Sequence, residues 1–96
     1  MFDAKLADGK ANEIHLAGRF DASQVDKARA VFDAITATCI VDFKDLDYIS
    51  SGGLSVLLAT QKRLSQTGQC LKLRNMNAHV RQVFEYAGFN MIFDIA

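Results

Sequence analysis

Apolar residues along this chain switch repeatedly between a spacing of two and a spacing near 3.6, and that alternation restricts its fold more than any other feature. Phe2 to Ala7 and Asn12 to Ala17 flank Asp8-Gly9-Lys10. Asp-Gly suits the positive φ angles of a tight hairpin turn, so the first two segments are expected as antiparallel strands. After Gly18-Arg19-Phe20-Asp21, the residues Val25, Ala28, Phe32 and Ile35 recur at helical spacing. Asp21 and Ser23 are the N-cap candidates, and Ser23-Gln24-Val25-Asp26 is a capping-box variant.

Thr38 to Phe43 is short, β-branched and apolar and reads as a buried strand, followed by a polar loop at Lys44 to Asp47. From Leu54 a second helix is expected to about Gln66, with Leu54, Leu57, Leu58 and Leu64 on one face and Gly68 as its stop. Gln69 to Arg74 alternates as a strand. Ala78 to Ala87 carries Val80, Val83, Phe84 and Ala87 in helical register before Gly88, and Met91 to Ile95 reads as a last strand.

The order β-β-α-β-α-β-α-β implies an α/β domain, with a mixed sheet of about five strands, an antiparallel N-terminal hairpin and about three helices packed on it. One domain is expected over residues 1–96, because a chain of this size buries only about 60 to 70% of its unfolded surface and has no room for two cores. If successive strands are neighbours, right-handed crossovers place every helix on one face, and the opposite face needs cover from loops or a partner.

Eleven Lys and Arg balance eleven Asp and Glu. A neutral chain with dispersed basic residues lacks the basic patch that nucleic acid or an anionic membrane requires. No apolar run approaches the roughly 20 residues that cross a bilayer, and the N-terminus lacks the pattern of a signal peptide. Cys39 and Cys70 are too few and too far apart for a disulfide framework or a four-ligand zinc site, and both sit in apolar runs, which fits core thiols in a reducing cytoplasm. His15, between Ile14 and Leu16, is expected to face solvent. His79 falls in the first turn of the third helix. Neither has the context of a catalytic base, no nucleophile elbow or Walker loop is present, and no enzyme activity, metal or cofactor is expected. Arg74, Asn75, Asn77 and Arg81 form a small polar group near the exit of the fourth strand, read as a solvated loop.

The most informative stretch is Asp42 to Leu54, with Ser50-Ser51-Gly52-Gly53 where a strand-following loop enters a helix. Unpaired N–H groups and the positive end of the dipole meet there, so the position tolerates an added anion. Gly52 and Gly53 remove bulk and are expected to let a partner loop or a phosphate approach. Asp21, Asp42, Asp45 and Asp47 are expected nearby, so that phosphorylation of a serine makes a mildly acidic surface strongly acidic. On residue chemistry alone, the simpler reading is that Ser50 and Ser51 cap the helix. Tyr48 and Phe20, the aromatic residues in loops beside this surface, are candidate anchors for a partner.

Tyr48-Ile49-Ser50-Ser51-Gly52-Gly53-Leu54 with Val56-Leu57-Leu58 resembles the signature of STAS domains, specifically bacterial anti-sigma factor antagonists. Gly18-Arg19-Phe20-Asp21 resembles the family's Gly-x-Leu-Asp turn, Gly68 to Leu73 its next strand, and Val83 to Phe89 its Phe-x-x-x-Gly-Leu segment before Phe93-Asp94-Ile95. The resemblance covers essentially the whole chain.

It implies a partner switch. The unphosphorylated antagonist binds an anti-sigma factor that is also a serine kinase and releases a sigma factor; phosphorylation with Mg-ATP ends the binding and a serine phosphatase restores it. The implied acceptor is Ser51, with Ser50 second, and the implied partner surface is Asp21, Phe20, Tyr48, Ser50, Ser51, Gly52, Gly53 and Ser55. Many kinase-regulated members carry Asp where this chain has Ser50, and the family pattern includes a further helix where this sequence ends at Ala96. A monomer is expected, with a weak dimer left open. The alternative is a STAS subunit of a membrane lipid transporter, bound to its ATPase without phosphorylation.

Overall fold

The computed structural model describes residues 2–7 and 10–96; the expected Asp8-Gly9 turn lies outside them. Five strands run in the order β1-β2-β3-β4-β5, so every sequence neighbour is also a spatial neighbour. β1 (Phe2–Ala7) pairs antiparallel with β2 (Lys10–Phe20). β3 (Cys39–Ile49), β4 (Leu71–Arg74) and β5 (Asp94–Ile95) then add in parallel. The helices are α1 (Val25–Phe32), α2 (Ser51–Ser65) and α3 (Ala78–Tyr86), with short 3-10 turns at Ala22–Gln24 and Phe89–Met91. The expected mixed sheet with three helices is what the chain forms.

All buried strand residues point to one side, where Ile14, Leu16, Val41, Phe43, Leu71 and Leu73 meet Phe32 of α1, Leu57 of α2 and Phe84 of α3. Phe84 holds one end of this core together, edge-on to Phe43 at 5.9 Å and to Phe93 at 5.7 Å between ring centroids. The opposite sheet face carries Glu13, His15, Arg19, Asp42 and Lys72 and is left open. The expected need for cover does not arise, because β3 is not buried on both faces. It alternates, with Ile40 and Asp42 outward and Cys39, Val41 and Phe43 inward.

The largest departure from the sequence reading is the length of β3. Lys44 to Asp47 is strand, not loop. Pairing with β2 steps from His15↔Asp42 to Ala17↔Asp45 and from Gly18↔Leu46 to Arg19↔Tyr48, so β3 contains one extra residue twice. Each bulge shifts the inward phase, which moves from Phe43 to Leu46 and then to Ile49. The alternation therefore looks broken while the strand continues.

Three other boundaries moved for local reasons. α1 stops at Phe32, and Arg63 of α2 donates from Nη1 to the Ile35 carbonyl at 2.7 Å and from Nη2 to that of Phe32 at 2.9 Å. A distant guanidinium thus takes carbonyls that a longer helix would pair internally. At the start of β4, Gln69 is diverted from pairing, its Oε1 accepting from the N–H and hydroxyl of Thr38. Near the C-terminus, the chain leaves α3 through Gly88 in the left-handed region (φ 75°) and makes a 3-10 turn, which shortens the last strand to Asp94–Ile95.

Candidate functional site

The exits of β2 and β3 lie side by side, joined by a hydrogen bond from the Ser50 N–H to the Phe20 carbonyl at 2.9 Å. Each exit opens into a capped helical turn. Ser50 has extended dihedrals and is the N-cap of α2; its hydroxyl accepts from the Gly53 N–H at 3.2 Å. Asp21 plays the same part for the 3-10 turn at Ala22–Gln24, its carboxylate accepting from the Ser23 N–H at 3.0 Å and from the Ser23 hydroxyl. The Ser23 hydroxyl bond holds the Asp21 carboxyl below its ordinary value. A full negative charge therefore stands at this rim at neutral pH.

The two serines are not equivalent. Ser50 is half-buried and its hydroxyl is committed to the cap, whereas Ser51 is the first residue of α2 and exposed. Among the described residues nothing hydrogen-bonds the Ser51 hydroxyl. Ser55, one turn on, is also exposed and donates its hydroxyl proton to the Ser51 carbonyl at 3.0 Å. The capping reading is thus correct for Ser50 alone. Replacing Ser50 by Ala is expected to destabilise the domain by about 1 kcal/mol while Ser50→Asp stays within a few tenths, because Asp and Ser cap almost equally well; urea unfolding measures both.

The glycines do something other than open the surface. A Cβ on Gly53 would stand 2.8 Å from Ile49 Cγ1 and 3.1 Å from the Phe20 ring, and one on Gly52 would stand 3.1 Å from Val25 Cγ2. Both absent side chains make room inside the protein, letting the first turn of α2 sit against β2, β3 and α1. The expectation that they admit a partner is corrected accordingly: Gly53 is buried and Gly52 partly so. Phe20 is corrected as well. Its ring is fully buried and stacked on Phe2 at 4.5 Å, out of reach of any partner.

Tyr48 does reach the surface, half-buried, with the Arg19 guanidinium 4.3 Å from its ring centroid. This pair of strand neighbours was not foreseen, because the β3 bulges hid the register that aligns Arg19 with Tyr48. Asp45 and Asp47 are exposed on β3, but Asp42 is not at the rim. It sits on β3 well before Ser50, and because the two bulges leave about six strand steps between them it is on the order of 20 Å away at about 3.3 Å per step.

Elsewhere the expected polar groups have structural partners. Asn77 caps α3 by accepting from the Val80 N–H at 2.8 Å, and Arg74 reaches Asp94 at 3.4 Å. Arg81 donates to the Ala96 carbonyl at 3.3 Å. His79 is exposed. Cys39 is buried and Cys70 half-buried, both as free thiols, and burial pushes the Cys39 thiol up to about 11, which keeps it an unreactive core side chain. Among the described residues no helix is long and apolar enough to cross a membrane.

Five strands in sequential order, with a capped helix start beside the β2 turn, bear out the architecture that the motif order implied. The family model described as "Mlab, STAS domain" matches residues 4–94, and the chain belongs to the STAS domain family. BtrV of Bordetella bronchiseptica, provisionally named an anti-sigma factor antagonist, is 43% identical over 75 residues, covering 78% of this chain and 59% of BtrV. This chain therefore matches less than two thirds of the length of that relative. The anti-sigma-B factor antagonist of Bacillus subtilis is 29% identical over 96 residues, covering 93% of this chain and 88% of its own. Among solved structures, the anti-sigma factor antagonist SpoIIAA in its unphosphorylated form superposes with a TM-score of 0.74 at 23% identity, covering 100% of this chain and 88% of that one. The phosphorylated form of the same Bacillus protein gives 0.69 at 22% identity, with coverage of 100% and 91%. At these identities the structures establish the fold.

Proposed function

We propose that this chain is an anti-sigma factor antagonist whose partner is an anti-sigma factor with serine kinase activity, and that phosphorylation of Ser51 ends the binding. The observation that carries this reading is the division of labour between the two serines: Ser50 holds the helix start while Ser51 presents a hydroxyl with no hydrogen-bond partner among the described residues. It also accounts for Ser50 at a position where many relatives have Asp, since either side chain provides the cap and leaves the next hydroxyl free. Of the relatives, the Bacillus subtilis protein is named an anti-sigma-B factor antagonist and BtrV carries a similar name provisionally, and one similar fold has been solved in a phosphorylated form.

The physical consequence of the modification follows from the rim. A phosphoryl group adds about −1.5 to −2 charges at pH 7. Placed on Ser51 it is accommodated by the positive end of α2, so the domain itself tolerates it, while its charge adds to that of the ionised Asp21. A partner surface that closes over Tyr48, Ser51 and Ser55 then meets a concentrated negative charge that it must desolvate. The chain acts as the kinase's substrate and contributes no catalytic group. Removal of the phosphate belongs to a serine phosphatase.

Incubation of the purified chain with ATP, Mg²⁺ and cytoplasmic extract from its native source, followed by intact-mass measurement and peptide mapping, tests the reading. One added phosphate mapped to Ser51 is expected. An unmodified chain recovered in a stoichiometric complex with a transporter ATPase would instead establish the lipid-transport alternative.

A further inference from the structure

Three potential metal ligands converge on the open sheet face, remote from the serine rim. Glu13 and His15 lie two residues apart on the outward side of β2, and Asp42 is the register partner of His15 on β3. Their ligating atoms all lie within 4.8 Å of one another, and all three residues are half-buried. Both carboxylates address the same ring nitrogen, with Glu13 Oε2 2.7 Å and Asp42 Oδ2 3.6 Å from His15 Nε2. One proton on Nε2 serves the first contact and leaves the second beyond hydrogen-bond reach. A single divalent cation serves all three.

We propose that Glu13, His15 and Asp42 bind a divalent first-row transition cation of the zinc class on this face. At a ligand distance of about 2.1 Å, the 3.6 Å separation of Asp42 from Nε2 subtends roughly 120° at the metal, close to tetrahedral, while the 2.7 Å separation of Glu13 is that of a hydrogen bond and has to open to about 3.4 Å when a cation replaces the proton. The carboxylate of Asp42 is oriented from behind. Its Oδ1 accepts from the Lys44 N–H at 2.9 Å and from Asn75 Nδ2 at 3.1 Å, which turns Oδ2 toward His15. Asn75 itself has left-handed dihedrals (φ 62°), so the chain reverses at the end of β4 in the conformation that delivers this amide. Such outer contacts fix ligand geometry in metal sites. Lys5 stands across from His15 on β1 and Arg74 across from Asp42 on β4, and Arg74 is turned to Asp94.

A site here ties β2 to β3, the two strands whose ends carry Asp21 and Ser50. It depends on neither serine, so its failure leaves the proposed phosphorylation untouched and the reverse holds as well.

Calorimetric titration of the chelator-treated chain with zinc chloride at neutral pH tests it. One equivalent is expected to bind, with affinity falling at least tenfold in His15→Ala and in Asp42→Asn and about tenfold in Asn75→Ala, the usual effect of losing an outer contact. His79→Ala and Cys70→Ser, which alter the remaining histidine and the more accessible thiol, should leave binding unchanged. Far-UV circular dichroism without metal verifies that each variant is folded. Absence of binding below millimolar zinc, binding that survives both His15→Ala and Asp42→Asn, or binding lost in His79→Ala or Cys70→Ser overturns the assignment.

Discussion

Ser51→Asp is expected to weaken binding to the anti-sigma factor kinase at least tenfold, while Ser51→Ala stays within about threefold of the parent chain. The alanine variant removes a hydroxyl that bonds nothing among the described residues, so neither the fold nor a desolvated interface loses a contact on its own side. The aspartate variant puts a charge one residue into α2 beside the turn where Asp21 is already ionised. A tenfold loss corresponds to about 1.4 kcal/mol, less than the several kcal/mol that burying an unpaired like charge produces in closely packed interfaces. Calorimetry against the purified partner reads both variants directly. Equal affinities would remove Ser51 as the switch.

Phe20→Ala is expected to have the largest effect on stability, about 3–5 kcal/mol in urea unfolding. The ring is fully buried, stacked on Phe2, and supports the helix start from below through its contact with the Gly53 position. Against a total stability of roughly 5–15 kcal/mol, such a loss brings the domain close to unfolding at ordinary temperature. Tyr48→Ala should behave in the opposite way. It removes a half-buried outward ring and a cation–π contact of about 0.5–1 kcal/mol, so stability falls far less than in Phe20→Ala and the larger effect appears in partner affinity. The two aromatics look alike in sequence, each a few residues before a capping group. They differ because Phe20 falls on the inward phase of β2, while Tyr48 falls on the outward phase of β3 beside the buried Ile49.

Much of the architecture was legible. The helical registers of Val25 to Phe32 and Ala78 to Tyr86, the turn glycines and the order of elements led to the observed topology, because amphipathic spacing reports directly on which side of an element meets the core. The serine pair and its setting at a helix start were legible too. What went unread depended on register. Two bulges break the alternation of β3 and hide that it continues to Ile49; only that full length pairs Tyr48 with Arg19 and carries Asp42 away from the rim. The grouping of Glu13 and His15 with Asp42 went unread as well, since Asp42 joins them only when β2 pairs with β3.

The glycine pair illustrates the same division. From the sequence, Gly52 and Gly53 mark a place where something must come close, since glycine in a helix sacrifices about 1 kcal/mol per residue relative to alanine. Only the packed structure decides what comes close. It is Ile49, Phe20 and Val25 of the same chain, and what stays at the surface beside them is Ser51 and Ser55, with Tyr48 and Asp21 half-buried. Local spacing, capping chemistry and turn residues act over a few neighbours and can be read from the chain itself. Strand register, the inward or outward sense of a ring and the meeting of residues twenty-seven positions apart, as with His15 and Asp42, depend on how whole elements pack, and that is settled only once the sheet is assembled.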